Sequence, residues 1–267
     1  MTGPAIMNAH WLVPDWPAPP NVRAVCTTRH GGVSGGRYES LNLGDHVGDL
    51  ADHVAENRRL LEQAIGAHPV FLQQVHGIGV AALGDAETEG TVRDGTAADA
   101  CTATAIGLAC TIMVADCLPV LFTDGSGERV AAAHAGWRGL AGGVLEATAR
   151  CFTPEPEAGP TRGASKVIAW LGPCIGPKAF EVGPEVKAAF EAHAPEAASC
   201  FQPAAAAGKW LADLPALARQ RLRAAGVEDV YGNDGSDGWC TVANPSRFFS
   251  HRRDGVSGRF AVLVWKA

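Results

Sequence analysis

Basic residues are the minority charge in this chain of 267 residues, where 22 Lys and Arg stand against 28 Asp and Glu. No basic run is present, so the electrostatic footprint of a nucleic-acid partner is missing and none is expected. No apolar stretch approaches the roughly 20 residues that a membrane-spanning helix needs, and a membrane is likewise not expected. Met1 to Asn8 lack a basic segment leading into a long apolar core, so no secretory signal is read there. A Cys-x-x-Cys pair is absent, which removes ribbon and finger zinc sites. His-x-His pairs are absent too, and a multicopper centre would need several. Internal repeats are not found. Charged residues make up only 19% against 47% apolar, a balance that excludes intrinsic disorder.

What remains is the composition of a compact soluble enzyme. The length is ample for a sizeable core, in one large domain or two small ones. Eight cysteines at irregular spacing in a chain of this size read as free thiols in a reducing cytoplasm. Short apolar runs predict strands at Val22 to Thr27, Val70 to Gln73, Gly79 to Leu83, Leu108 to Ala115, Pro119 to Phe122, Arg129 to Ala133, Val167 to Leu171 and Arg259 to Trp265. Many are apolar at consecutive positions, as in sheets covered on both faces. Helices are expected to start near Asp52, Gly139, Pro184 and Leu214, the last with Asp213 as N-cap, Pro215 in its first turn and Gly226 after its end. Thr153 to Ser165 and Ala204 to Gly208 read as surface connections. The reading is a single α+β domain over residues 1–267.

Three soft metal-ligand candidates stand out. Cys117, in Ala115-Asp116-Cys117-Leu118-Pro119, and His134, in Ala133-His134-Ala135-Gly136-Trp137-Arg138, adjoin apolar runs 17 positions apart. That separation lets the chain run through Pro119 to Phe122, turn at Asp124-Gly125-Ser126-Gly127 and return. His76, 41 positions before Cys117, must be brought in by the tertiary fold. Two imidazoles and a thiolate suit a catalytic zinc that keeps its fourth position open. The same residue types are also commonplace as buried packing, so spacing alone leaves both readings open.

The segments Gln74-Val75-His76-Gly77, Ala115 to Phe122, His134-Ala135-Gly136-Trp137-Arg138-Gly139 and Phe248-Phe249-Ser250-His251-Arg252-Arg253-Asp254 resemble the signature blocks of the YfiH family. It is also called the laccase-domain or multicopper polyphenol oxidase family, and some members are called peptidoglycan editing factor. Thr27-Thr28-Arg29, Ser40-Leu41-Asn42-Leu43-Gly44 and Leu171-Gly172-Pro173-Cys174-Ile175-Gly176-Pro177 extend the likeness in the family's order. The resemblance implies a layered sandwich of mixed sheets flanked by helices. It implies His76, Cys117 and His134 as metal ligands, with Cys117, His134 and Arg253 catalytic. Arg29, Asn42 and Arg138 are then expected around substrate, since guanidinium forks suit phosphate oxygens. Asp116 is a candidate for orienting a ligand. The roles of His251 and Cys174 are open, and His46 sits in a family-like loop block.

Three activities follow as expectations. The resemblance implies a zinc-dependent purine nucleoside phosphorylase using nucleoside and phosphate, with adenosine deaminase and methylthioadenosine phosphorylase activities beside it. A copper-dependent polyphenol oxidase is the second, since a set of two His and one Cys also holds Cu2+. A Cys117–His134 dyad hydrolysing a peptidoglycan precursor is the third. A structural zinc cross-link is disfavoured by having three ligands rather than four. Monomer and homodimer are both compatible with the chain.

Overall fold

The computed structural model describes residues 9–84, 94–153 and 166–267. Its strands are β1 (Val22–Cys26), β2 (His68–Phe71), β3 (Val80–Leu83), β4 (Ala100–Ala103), β5 (Leu108–Val114), β6 (Leu118–Asp124), β7 (Val130–Ala135), β8 (Val167–Leu171), β9 (Glu181–Val182), β10 (Phe201–Pro203), β11 (Trp210–Ala212), β12 (Asp229–Gly232) and β13 (Phe260–Lys266). The helices are α1 (Ala51–Ile65), α2 (Trp137–Gly142), α3 (Val144–Arg150), α4 (Pro184–Glu191), α5 (Leu214–Ala224) and the single turn α6 (His251–Asp254). The strands form a sheet of order β1-β13-β5-β2, a sheet of order β12-β8-β6-β7-β4-β3 and a small sheet of order β10-β11-β9. Both large sheets mix parallel and antiparallel pairs, and the fold is α+β.

Strand periodicity sorts the side chains into layers. On β13, Phe260, Val262 and Val264 point between the two large sheets, where they meet Leu121, Ala132 and Trp170. Ala261, Leu263 and Trp265 point the other way, onto Leu61 and Ile65 of α1. On β6 and β7, Val120, Phe122, Ala131 and Ala133 face out from the second sheet and pack with Leu140, Val144, Leu145 and Leu217 of α2, α3 and α5. The result is helix, sheet, sheet, helix. Every residue of β6 and β7 is buried, as two-sided cover requires.

The expected strands form at these sites with every end within two residues of its expected place; Val167–Leu171 is unchanged, and β2 moves as a whole, to His68–Phe71. β4 was not anticipated because Ala-Cys-Thr-Ala carries little strand propensity, yet it is completely buried between β3 and β7. Strands β9 to β12 are too short or too mixed to read. The single helix expected from Gly139 is two, α2 and α3, because Gly143 takes a left-handed conformation (φ 103°) that breaks the ladder between them. α5 matches its expected signals: the Asp213 carboxylate accepts from the Ala216 amide at 2.9 Å, and Gly226 (φ 82°) follows the helix end. Ala204 to Gly208 is the turn between β10 and β11. The connection expected over Thr153 to Ser165 lies, after Thr153, outside the described residues.

Candidate metal centre

β6 and β7 run antiparallel with Leu118 opposite Ala135 and Pro119 opposite His134. The start of one strand therefore lies beside the end of the other, and Cys117 and His134 meet there. His134 follows Val130 and Ala132 on the face that looks between the sheets, near the end of β7. His76 comes from the loop after β2. Its entry is fixed by Gln74, whose side chain accepts from the Met113 amide and donates to the Met113 carbonyl, both at 2.8 Å.

The ligand atoms of His76, Cys117 and His134 lie within 4.8 Å of one another, and Cys117 Sγ is 3.9 Å from His76 Nε2. Tetrahedral zinc with ordinary bond lengths would set sulfur and nitrogen about 3.6 Å apart, so this pair need close by only a few tenths of an ångström and the widest pair by about an ångström. His134 is buried, Cys117 half-buried and His76 exposed, which leaves the outer side open to a fourth ligand. The donor set and the cradle fit a metal ion that keeps one position open.

The backbone is strained at this point. His76 (φ 60°) and Asp116 (φ 96°) have positive φ, and among the described residues no other non-glycine residue does. One residue is a candidate ligand and the other precedes one. Gly136 and Gly139 make the close approach feasible. A Cβ on Gly136 would sit 2.8 Å from His76 Cδ2 and 3.1 Å from Cys117 Sγ, and one on Gly139 would sit 2.8 Å from the Gly77 carbonyl.

The protonation states follow from this packing. Burial pushes the Cys117 thiol up, but the His134 imidazolium and hydrogen bonds from both histidines outweigh it and bring it down to about 6. Burial pulls His134 down, while the Cys117 thiolate and Asp99 carry it up to about 9. A thiolate is thus favoured before any metal arrives, as zinc ligation requires.

Asp99, completely buried, accepts from His134 Nδ1 at 2.9 Å and from the amides of Val75, His76 and Gly77 at 3.2, 2.8 and 2.6 Å. Sequence reasoning missed it. The usable signal was an acid inside the apolar run Ala97-Ala98-Asp99-Ala100-Cys101, since a buried carboxylate must be multiply bonded. Arg259 was missed as well. Burial lowers its pKa while the charges of Cys117 and Asp116 raise it, so a cation stands near the thiolate.

The other expected residues are more dispersed. Arg29 and Arg253 come together from opposite ends of the chain and line one cleft of 430 Å³ with Arg37, Pro245, Asp254 and Val256. Burial, then the charge of Arg253, lowers the Arg29 pKa. The three metal ligands do not line that cleft. Arg253 is extensively engaged, with Asp254 in a two-pronged pair at 2.7 Å and with the Thr241 carbonyl at 2.8 Å. Arg138 is exposed and lies over the Trp137 ring at 4.3 Å.

Two expectations need correction. Asn42 does not face a substrate cavity: it is fully buried, donating to Asp49 and the Gly44 carbonyl and accepting from the Gly44 and Arg259 amides, so it clamps a loop. Asp116 does not orient a metal ligand through its carboxylate, which accepts from Thr241 Oγ1 and the Arg252 amide, each at 2.6 Å. Asp99 has that position. Cys174 is buried with its sulfur on the Ile175 carbonyl and Asn233, and His251 is exposed at the start of α6.

The chain is similar to known proteins over nearly its whole length. Residues 23–267 match the family described as multi-copper polyphenol oxidoreductase laccase. A Pseudomonas aeruginosa protein named purine nucleoside phosphorylase is 52% identical over 260 residues, 97% of this chain and 99% of its own. Escherichia coli YfiH, also named purine nucleoside phosphorylase, is 48% identical over 95% of this chain and 98% of its own. A crystal structure of a Neisseria meningitidis protein superposes with a TM-score of 0.84 at 48% identity, covering 96% of this chain and 99% of that one. YlmD from Geobacillus stearothermophilus gives 0.81 at 30% identity, over 92% of each. The chain belongs to the multi-copper polyphenol oxidoreductase laccase family, the family of YfiH.

Proposed function

We propose that the protein is a zinc-dependent purine nucleoside phosphorylase that takes adenosine and inosine with inorganic phosphate and releases the free base and ribose 1-phosphate. Adenosine deaminase and methylthioadenosine phosphorylase activities are proposed beside it. The observation that carries the reading is the cradle of His76, Cys117 and His134, three ligands with an open side, in a chain whose relatives bear that enzyme name. Zinc held there would supply a Lewis acid for a substrate oxygen or water. Arg29 and Arg253 are proposed to hold phosphate, their two guanidinium groups favouring an anion in the cleft between them. Arg138 is exposed two residues after Gly136 and is proposed to reach the nucleoside.

One observation favours zinc over a multicopper oxidase. Among the described residues one cluster of three His, Cys, Asp or Glu side chains could hold an ion, and it offers three ligands for a single metal. All eight cysteines are free, which agrees with a reducing cytoplasm. No helix among the described residues is long and apolar enough to cross a membrane.

One observation favours a second reading. Cys117, His134 and Asp99 stand in the order nucleophile, base and orienting carboxylate, the arrangement of a thiol hydrolase that could act on a peptidoglycan precursor. Metal discriminates the two, because a metal-bound thiolate is no longer a free nucleophile. The experiment is a nucleoside panel, with and without phosphate, on metal-free, zinc-loaded and copper-loaded protein, with dioxygen uptake on phenols alongside. Phosphate-dependent cleavage of inosine by the zinc form is expected, with no dioxygen uptake. Turnover by the copper form alone, with nucleosides inert, refutes the proposal.

A further inference from the structure

The Asp99 carboxylate makes more contacts with the metal centre than any one ligand does with another. It is fully shielded from water, and its two oxygens take four donors. Oδ1 accepts from the His76 amide and from His134 Nδ1, while Oδ2 accepts from the Val75 and Gly77 amides. Three consecutive amides aimed at one carboxylate form a small anion-binding concavity of main chain. A chain segment curled that tightly places His76 at φ 60°. The charge that the concavity requires is thus supplied by the residue that leads into β4.

We propose that Asp99 is the positioning residue of the metal centre, fixing the two imidazole ligands together before metal binds. It acts on His134 through the ring: a carboxylate only accepts, so Nδ1 carries the proton and Nε2 is left as the metal-facing atom. It acts on His76 through the backbone, holding a conformation that a non-glycine residue adopts only when its surroundings impose it. The Asp99 carbonyl accepts from the His134 amide at 2.7 Å, so main chain and side chain of one residue hold both ends of the same ligand. Cys117 is outside this device and is placed separately, by the strained turn at Asp116.

The inference rests on the metal reading of the site but not on which reaction the metal serves. The test is Asp99→Asn, which preserves volume but presents an NH2 group to donors that need an acceptor. Zinc affinity measured by competition with a chromogenic chelator is expected to fall on the order of 10- to 100-fold. Amide hydrogen exchange over residues 75–77 of the metal-free protein is expected to accelerate, with the β5 and β13 amides unchanged. Zinc binding within twofold of wild type in a folded variant would overturn the proposal, as would unchanged exchange over residues 75–77. A second measurement needs no variant. Nitrogen-15 spectra of the histidine rings in zinc-loaded wild-type protein are expected to show His134 bound through Nε2 with Nδ1 protonated, and ligation through Nδ1 would overturn the proposal. None of these readouts involves a nucleoside, so failure of the phosphorylase reading leaves them intact and their failure leaves that reading intact.

Discussion

Gly136→Ala is a perturbation confined to the metal cradle. Gly136 has φ −61° and ψ 155°, a conformation open to any residue, so alanine introduces no backbone strain. Its methyl group would lie 2.8 Å from His76 Cδ2 and 3.1 Å from Cys117 Sγ. Carbon atoms rest comfortably about 3.5–4.0 Å apart, so the imidazole must retreat by roughly 0.7 Å or more. Metal–ligand distances tolerate about 0.2 Å. Zinc affinity is therefore expected to drop about 10- to 100-fold, or about 1.4–2.7 kcal/mol. Stability should barely change. Alanine restricts the unfolded chain, worth about 0.4–1 kcal/mol in favour of folding, and is a poorer N-cap than glycine for α2 by a comparable amount. The melting temperature of metal-free protein should then move by no more than about 2–4 °C. Chelator competition reads the affinity, and a thermal melt in EDTA reads the fold. A folded variant that binds zinc like wild type would refute the placement of His76 as a ligand.

The remaining predictions use the same geometry. His134→Ala should destabilise metal-free protein by about 1–3 kcal/mol, because buried Asp99 loses a donor, whereas exposed His76→Ala should cost under about 0.5 kcal/mol; equal urea midpoints would refute the difference in burial. Cys117, with its thiol brought down to about 6, should be a thiolate above that pH. In metal-free protein at pH 7 it should be alkylated faster than Cys151, and zinc should protect it; mass spectrometry after brief iodoacetamide treatment decides, and labelling no faster than at Cys151 contradicts the assignment. Arg253→Lys retains charge but loses the fork, so phosphate-dependent cleavage should lose about 1.5–3 kcal/mol of transition-state stabilisation with zinc content unchanged. An unaltered phosphate dependence would remove Arg253 from the anion site.

How far the sequence carried the fold depended on where each strand gets its stability. β5, β6, β7, β8 and β13 are apolar at nearly every position, because sheets and helices cover both their faces, and they were legible from that alone. β4 is held by its neighbours rather than by its residues. Ala100, Cys101 and Ala103 are small enough to lie between β3 and β7, and that benefit appears only after the sheet has formed. The break at Gly143 was invisible for a related reason: glycine within a helical pattern is tolerated as often as it terminates one, and only the packing of α3 against β7 and α5 decides which.

The site was legible in its ligands and not in what holds them, and the reason is physical. Cys117 and His134 adjoin strands whose antiparallel pairing dictates that they meet, so a correct pair of strands places both. His76 could be added through family resemblance, since its loop has no periodic signal. Asp99 carries only the faint mark of its apolar flanks: what it holds shows only when the fold surrounds it with three amides and an imidazole. Asn42 shows the converse error, a polar residue in a family-like block whose amide is consumed by Asp49, Gly44 and Arg259. Local preference also fails where the site is strained. No propensity anticipates positive φ at His76 and Asp116, because it is the surrounding hydrogen bonds that impose it. One strained residue is the loop candidate His76 itself and the other immediately precedes Cys117, whereas His134, on a regular strand, has none beside it. Strain in this protein therefore lies where a loop must deliver a side chain to an atom-sized target, and Asp99 and Asp116 are the carboxylates that hold those loops in place.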